Sequence, residues 1–187
     1  MDTRTFLTEI IPIKDKKLKR ILEKECHIDF FSQGEPINEV GKIDSYVRFL
    51  ISGAVRGYIV DDKDKETTTI FMIRPGAIIA GSRMLDGKAS DIGFKVLKDS
   101  EVFSVPVEII MKLRAEFPEM IDLQMYMLSQ SALYHWETKK MLYLKSGTER
   151  YEWFLRHFPG LIDSVCHKDI ASFLNISPVT LSRIRHR

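Results

Sequence analysis

The sequence has little cysteine: Cys26 and Cys166 are the only two in 187 residues. Two thiols cannot build a disulfide framework, a four-cysteine zinc site or a four-cysteine iron–sulfur site. Glycine and proline are also modest, at 10 and 7 residues, which excludes collagen-like and low-complexity chains. No apolar run approaches the roughly 18 residues of a membrane span. Residues Met1 to Arg20 mix acids and bases among the apolar positions, unlike a secretory signal. Cytoplasm is therefore the expected compartment, with no membrane partner.

Catalytic signatures are missing as well. There is no G-x-G-x-x-G, P-loop, H-E-x-x-H, C-x-x-C or G-x-S-x-G pattern. His167-Lys-Asp-Ile echoes a kinase catalytic loop, but no D-F-G accompanies it and the chain is too short for a kinase. The five histidines, 27, 135, 157, 167 and 186, show no ligand pairing. Neither an enzyme nor a metal site is expected, and no catalytic residue is assigned.

What the chain does have is a core and an uneven charge. Apolar residues make up 44%, enough to bury a real interior. The net charge of +2 divides unequally. Residues 1–137 carry 19 Lys+Arg and 22 Asp+Glu, whereas residues 138–187 carry 9 and 4. An acidic body with a basic tail points to nucleic acid at the C-terminus, the alternative being a basic surface with no partner.

Periodicity divides the chain further. Residues 3–26 read as helical, with Leu18, Ile21 and Leu22 as an apolar stripe and Pro12 interrupting an earlier turn. From His27 to Pro106 the texture is that of short strands: Ile28–Phe31, Tyr46–Ser52, Val55–Val60, Glu66–Ile73, Phe94–Leu97 and Glu101–Val105. Breaks are expected at Gln33–Pro36, Ser52-Gly53, Pro75-Gly76 and Asp86-Gly87, with a hairpin turn at Asp61–Lys65. Strands at this spacing predict an antiparallel barrel or roll. Helices follow at Val107–Ala115, about 118–144 and Thr148–His157, with Ser146-Gly147 as a hinge.

The long helix carries Met120, Leu123, Met127, Gln130, Tyr134, Glu137, Met141 and Leu144 at alternating steps of three and four, six of the eight apolar. A second frame, Phe117, Ile121, Gln124, Leu128, Ser131, His135, Thr138 and Leu142, has four of eight. A helix apolar on more than one side needs two partners: its own β domain and, through the seam Met120, Leu123, Met127, Gln130, Tyr134 and Met141, a second subunit. The alternative is a helix buried within one chain.

The last segment, Lys168 to Ile184, reads as a helix-turn-helix. Ile170, Ala171 and Leu174 share one face. Asn175 stands where the turn requires positive φ, and Ile176 plugs the turn. Ser177 is a good N-cap and Pro178 a good first helical residue. Leu181 and Ile184 return to the shared core. In that geometry the second helix presents Val179, Thr180 and Arg183 to base edges, with Arg183 able to bond guanine bidentately. His167, Lys168, Ser177 and Arg185 are candidates for phosphate contacts. The alternative is a helical hairpin that binds no DNA.

These segments together resemble the Crp/Fnr family of bacterial transcription regulators over residues 5–187. The resemblance rests on Phe31-Ser-Gln-Gly-Glu, Phe49-Leu-Ile-Ser-Gly-Ala-Val-Arg, Pro75-Gly76 and Ile176-Ser-Pro-Val-Thr-Leu-Ser-Arg-Ile. It implies an α+β chain in three parts. These are an antiparallel, cyclic-nucleotide-binding-like effector roll (1–117), a dimerisation helix (118–145) and a helix-turn-helix DNA-binding domain (146–187). Double-stranded DNA, a second copy of the chain and RNA polymerase are the partners it implies. It places an effector pocket at Ala80, Gly81, Ser82, Arg83, Ser90 and Asp91.

The chain also departs from the family. Gly81 falls where cyclic-AMP binders carry Glu, and Asp91 where they carry Arg, so a phosphate would be repelled rather than clamped. Cyclic AMP is not expected at this site, and no cofactor is assigned beyond an unidentified small-molecule effector. Val179 stands where recognition helices of the family often carry Glu. Leu161–Cys166 is short for the usual β-wing, which is expected to be absent or truncated. A ligand-binding or protein-interaction module with a vestigial helix-turn-helix is therefore the alternative to a DNA-binding regulator.

Overall fold

The computed structural model describes residues 1–81 and 84–186. It is α+β. The element order is α1 (Thr3–Thr5), a π-turn (Phe6–Ile10), α2 (Lys16–Glu25), β1 (His27–Phe31), β2 (Pro36–Asn38), β3 (Tyr46–Val60), β4 (Glu66–Met72), β5 (Ile78–Ile79), β6 (Gly93–Pro106), α3 (Val107–Glu116), α4 (Pro118–Leu144), α5 (Gly147–His157), α6 (His167–Phe173) and α7 (Pro178–Arg185). Short 3-10 turns lie at Met84–Asp86 and Leu161–Asp163.

One antiparallel sheet of order β1-β6-β3-β4 organises the N-terminal half, with β2 also on β6 and β5 also on β3. The sequence predicts four strands where β3 and β6 are two. Ser52-Gly53 bends β3 without ending it. Gly53 sits at φ 99°, and a Cβ there would stand 2.4 Å from the Asp99 carbonyl oxygen. The Ser100 hydroxyl fills the resulting bulge, accepting from the Ala54 amide at 3.1 Å. Pairing resumes beyond it at Ala54↔Lys98. On one side of the bend β3 pairs with β5 at Arg48–Phe49, and on the other with β4 from Val55. Each long strand therefore serves both halves of the roll, curling the sheet around one apolar interior of Leu50, Val55, Val96 and Val102. The two strands missed by pattern, β2 and β5, are too short to show an alternation. Pro36 opens β2 on a sheet edge, where its missing N–H costs nothing.

The N-terminal segment closes one end of the roll. Phe6 stacks on Phe103 with ring centroids 4.7 Å apart. Asp15 caps α2 by accepting from the Lys17 and Leu18 amides. The Glu119 carboxylate accepts from the amides of Lys14 and Asp15 at 2.7 and 2.9 Å, tying this segment to the start of α4. At the far hairpin, Asp61 accepts from the Lys63 and Lys65 amides as the strands reverse. These backbone bonds hold its carboxyl below the usual carboxylate range. Among the described residues, no helix is long and apolar enough to cross a membrane.

Candidate nucleic-acid interface and effector cavity

Helix α5 is started by a capping box at Ser146. The Ser146 hydroxyl accepts from the Glu149 amide, and Glu149 accepts from the Ser146 amide at 2.8 Å. The Ser146 hydroxyl and amide together hold the Glu149 carboxyl below its ordinary value.

The turn between α6 and α7 is a Schellman closure. The Ile176 amide donates to Ala171 O at 3.0 Å and the Asn175 amide to Ser172 O at 3.1 Å. Asn175 takes φ 51°, the conformation its position demands. Ser177 caps α7, its hydroxyl accepting from the Thr180 amide at 3.0 Å. Ile170, Ala171, Leu174 and Leu181 are buried together, with Ile176 and Ile184 partly so. Arg150, which sequence pattern does not single out, braces this unit. Its guanidinium donates to Lys145 O at 2.9 Å and to Leu174 O at 3.0 Å.

On the outer side of α7, Val179 is 61% exposed and Thr180 and Arg183 are exposed beside it. Arg183 makes no hydrogen bond to the described residues. Of the four phosphate candidates, Lys168 is exposed. Arg185 reaches from α7 to the His167 ring at the start of α6. Ser177 is occupied in capping, and its hydroxyl also bonds Thr180 Oγ1 at 2.8 Å. Between α5 and α6 the chain forms a 3-10 turn and no strand.

The opposite side of α6 docks on the β3–β4 hairpin, through residues that sequence pattern does not flag. Arg56 is 3% exposed, pairs with Glu66 and lies 3.6 Å from the Asp169 carboxylate. Its guanidinium also donates to Thr68 Oγ1 at 3.1 Å. The Thr68 amide donates to the Ser172 hydroxyl at 3.1 Å. Beside these bonds Phe71 of β4 meets the edges of Phe154, Phe158 and Phe173 at centroid separations of 5.8, 5.6 and 5.0 Å. A long charged side chain in a strand is ordinarily solvent-facing, so only the fold reveals Arg56 as an anchor.

Inside the roll, a cavity of about 450 Å³ lies between the sheet, the N-terminal segment and α4. Of the residues assigned to the effector pocket, Ala80 and Gly81 line it. Ser90 sits behind Gly81, its hydroxyl bonded to the Ile92 carbonyl and amide. A Cβ at Gly81 would stand 2.6 Å from that hydroxyl, so a longer side chain at this position has no room. Asp91 is exposed and outside the lining. Ser82 and Arg83 lie outside the described residues.

The seam assigned to a second subunit turns inward instead. Met120 and Met141 are 7% and 1% exposed, buried in this chain's own cores. Leu123 and Met127 pack partly buried on the roll. The Tyr134 hydroxyl accepts from the Phe71 amide at 3.3 Å, and burial pushes its pKa up to about 12. Gln130 alone is exposed. Most of the heptad of greatest apolar content is thus packed, fully or in part, against this chain's own cores. The face of α4 left outside carries Ile121, Met125 and Trp136, each between 48% and 59% exposed, while Leu128, exposed as well, also borders the cavity. Ile121, Leu128 and the exposed His135 belong to the second frame.

No known family model matches the sequence. No curated protein matches it either. Solved structures do match the fold. FixK2 from Bradyrhizobium japonicum superposes with a TM-score of 0.75 at 18% identity, over 86% of this chain and 83% of that one. CLP from Xanthomonas campestris, a c-di-GMP responsive global regulator, gives 0.73 at 15% identity, over 92% and 90%. A transcriptional regulator of the CRP/FNR family from Thermus thermophilus gives 0.69 at 17% identity, over 84% and 83%. Sheet, long helix and helix-turn-helix follow one another in this chain with the fold of the Crp/Fnr regulators.

Proposed function

We propose that this protein is a homodimeric, sequence-specific DNA-binding transcription regulator. The observation that carries the reading is α7: capped, braced through its turn, and free along the side that bears Val179, Thr180 and Arg183. Set in a major groove, that side faces base edges. Arg183 donates two hydrogen bonds to the O6 and N7 of a guanine, and Val179 contacts a thymine methyl. Lys168 and Arg185 neutralise flanking phosphates.

The outward face of α4 joins two copies, and their α7 helices read half-sites about 34 Å apart. RNA polymerase is the further partner of the bound dimer. The roll holds an effector other than cyclic AMP: Gly81 has neither the carboxylate nor the room for one. The protein acts in the cytoplasm and carries out no catalysis.

DNA selection from a random library, followed by fluorescence anisotropy, tests this. Arg183→Ala is expected to weaken the selected site by about 1–3 kcal/mol, at least several-fold in Kd, and to relax preference at one base pair in each half-site. Equal, weak binding of every sequence by wild type and variant contradicts it. The missing strands before α6 favour a second reading, an interaction module whose helix-turn-helix no longer binds DNA. A steep fall of DNA affinity with salt, reflecting several phosphate contacts, would count against that reading.

A further inference from the structure

We propose that the roll cavity binds a largely apolar small molecule whose single polar group sits against α4. This deepens the effector reading above and rests on it. The volume of about 450 Å³ falls within the range of small-molecule sites. Its walls are hydrocarbon and aromatic: Leu7 and Ile11 of the N-terminal segment, Phe49 and Phe94 of the sheet, Leu123 and Met127 of α4. A ribose or a phosphate against them would lose its water without replacement partners, a cost of several kcal/mol per polar group.

Among the described residues, polar side chains border the cavity at two places. Gln124, Ser131 and His135 lie on one side of α4, at steps of seven and four, and Asp86 lies on the facing 3-10 turn. This distribution fits a molecule with an apolar body and one hydrogen-bonding end, such as a long-chain alcohol or a phenol. The end that is recognised touches the helix that also runs to the helix-turn-helix. The ligand would therefore brace α4 against the roll rather than clamp a loop as an anion does.

The test uses the full chain without DNA, so its outcome is read separately from the DNA-selection experiment. Nile red is titrated into the protein, and n-decanol and cyclic AMP are then added as competitors. Saturable binding of one dye per protomer is expected, with displacement by decanol and none by cyclic AMP. Decanol alone should raise the melting temperature of wild type. Ala80→Leu, which places a branched side chain in the cavity, should weaken the dye at least tenfold while melting within a few degrees of wild type. Phe30→Ala, at an exposed position on β1 outside the cavity lining, should bind it unchanged. Non-saturable binding, displacement by cyclic AMP, or no stabilisation by decanol would overturn the proposal. So would loss of the dye in Phe30→Ala, or its retention in a folded Ala80→Leu protein.

Discussion

Asn175 occupies the left-handed region at φ 51°, and its own amide and that of Ile176 close the helix around it. Placing a β-branched residue there costs roughly 1–2 kcal/mol, whereas glycine carries no such strain in the folded state. Asn175→Val should therefore lower stability by at least about 1 kcal/mol, while Asn175→Gly should stay within a few tenths. Chemical denaturation of both variants checks the pair. The two thiols differ for a different reason. Burial pushes the Cys26 thiol up to about 12, whereas Cys166 is exposed at the start of α6. A native protein at pH 8 should show one thiol reacting rapidly with Ellman's reagent and two after denaturation. The neutral Cys26 thiol is retained in the folded state above its unfolded pKa near 9, so this contribution to stability is intact below pH 9 and is lost progressively toward 12. The role of Asn175 is legible in the sequence because it is local. The burial of Cys26 is not, because it depends on α2 folding over the roll.

Among elements, α7 and α4 differ in how fully sequence pattern shows them. Caps, turn residues and apolar spacing lie within the helix-turn-helix, so its boundaries follow from adjacent residues. Helix α4 shows its length equally well, but two apolar frames compete for two partners, and periodicity does not say which partner is the chain itself. The chain's own cores take Met120, Tyr134 and Met141, leaving Ile121, Met125 and Trp136 outside. Ile121→Glu/Trp136→Glu should accordingly convert a dimer to a monomer in light scattering while leaving the melting of each protomer cooperative. Strand β4 holds the other silent element contact. Phe71 fills the space between three aromatic rings, and Phe71→Ala should cost about 3–5 kcal/mol. Calorimetry reads that loss directly. A change below about 1 kcal/mol, far short of a filled aromatic site, would mean that α5 and α6 do not rest on β4 in solution.

At the scale of the molecule, the sheet and the helix-turn-helix are held as one unit by the Arg56, Asp169 and Ser172 contacts and by the aromatic cluster at Phe71. The charge division agrees with this plan: the acidic residues lie mainly with the roll, and the basic excess lies from α4's last turns onward. The order of roll, long helix and helix-turn-helix is legible because each part carries its own period and turn chemistry. The docking is not, since it joins residues about 100 positions apart, such as Thr68 and Ser172. Nor is the apolar character of the cavity, whose walls come from the N-terminal segment, the sheet and α4 at once. The central claim is that the free side of α7 reads base sequence from two symmetric copies. Selection of full-length protein on random duplex DNA tests this most directly. The expected result is an enriched inverted repeat with half-sites about 34 Å apart, and loss of a guanine preference in each half-site with Arg183→Ala. Enrichment of no motif, or of the same motif with the same affinity in the variant, would contradict it.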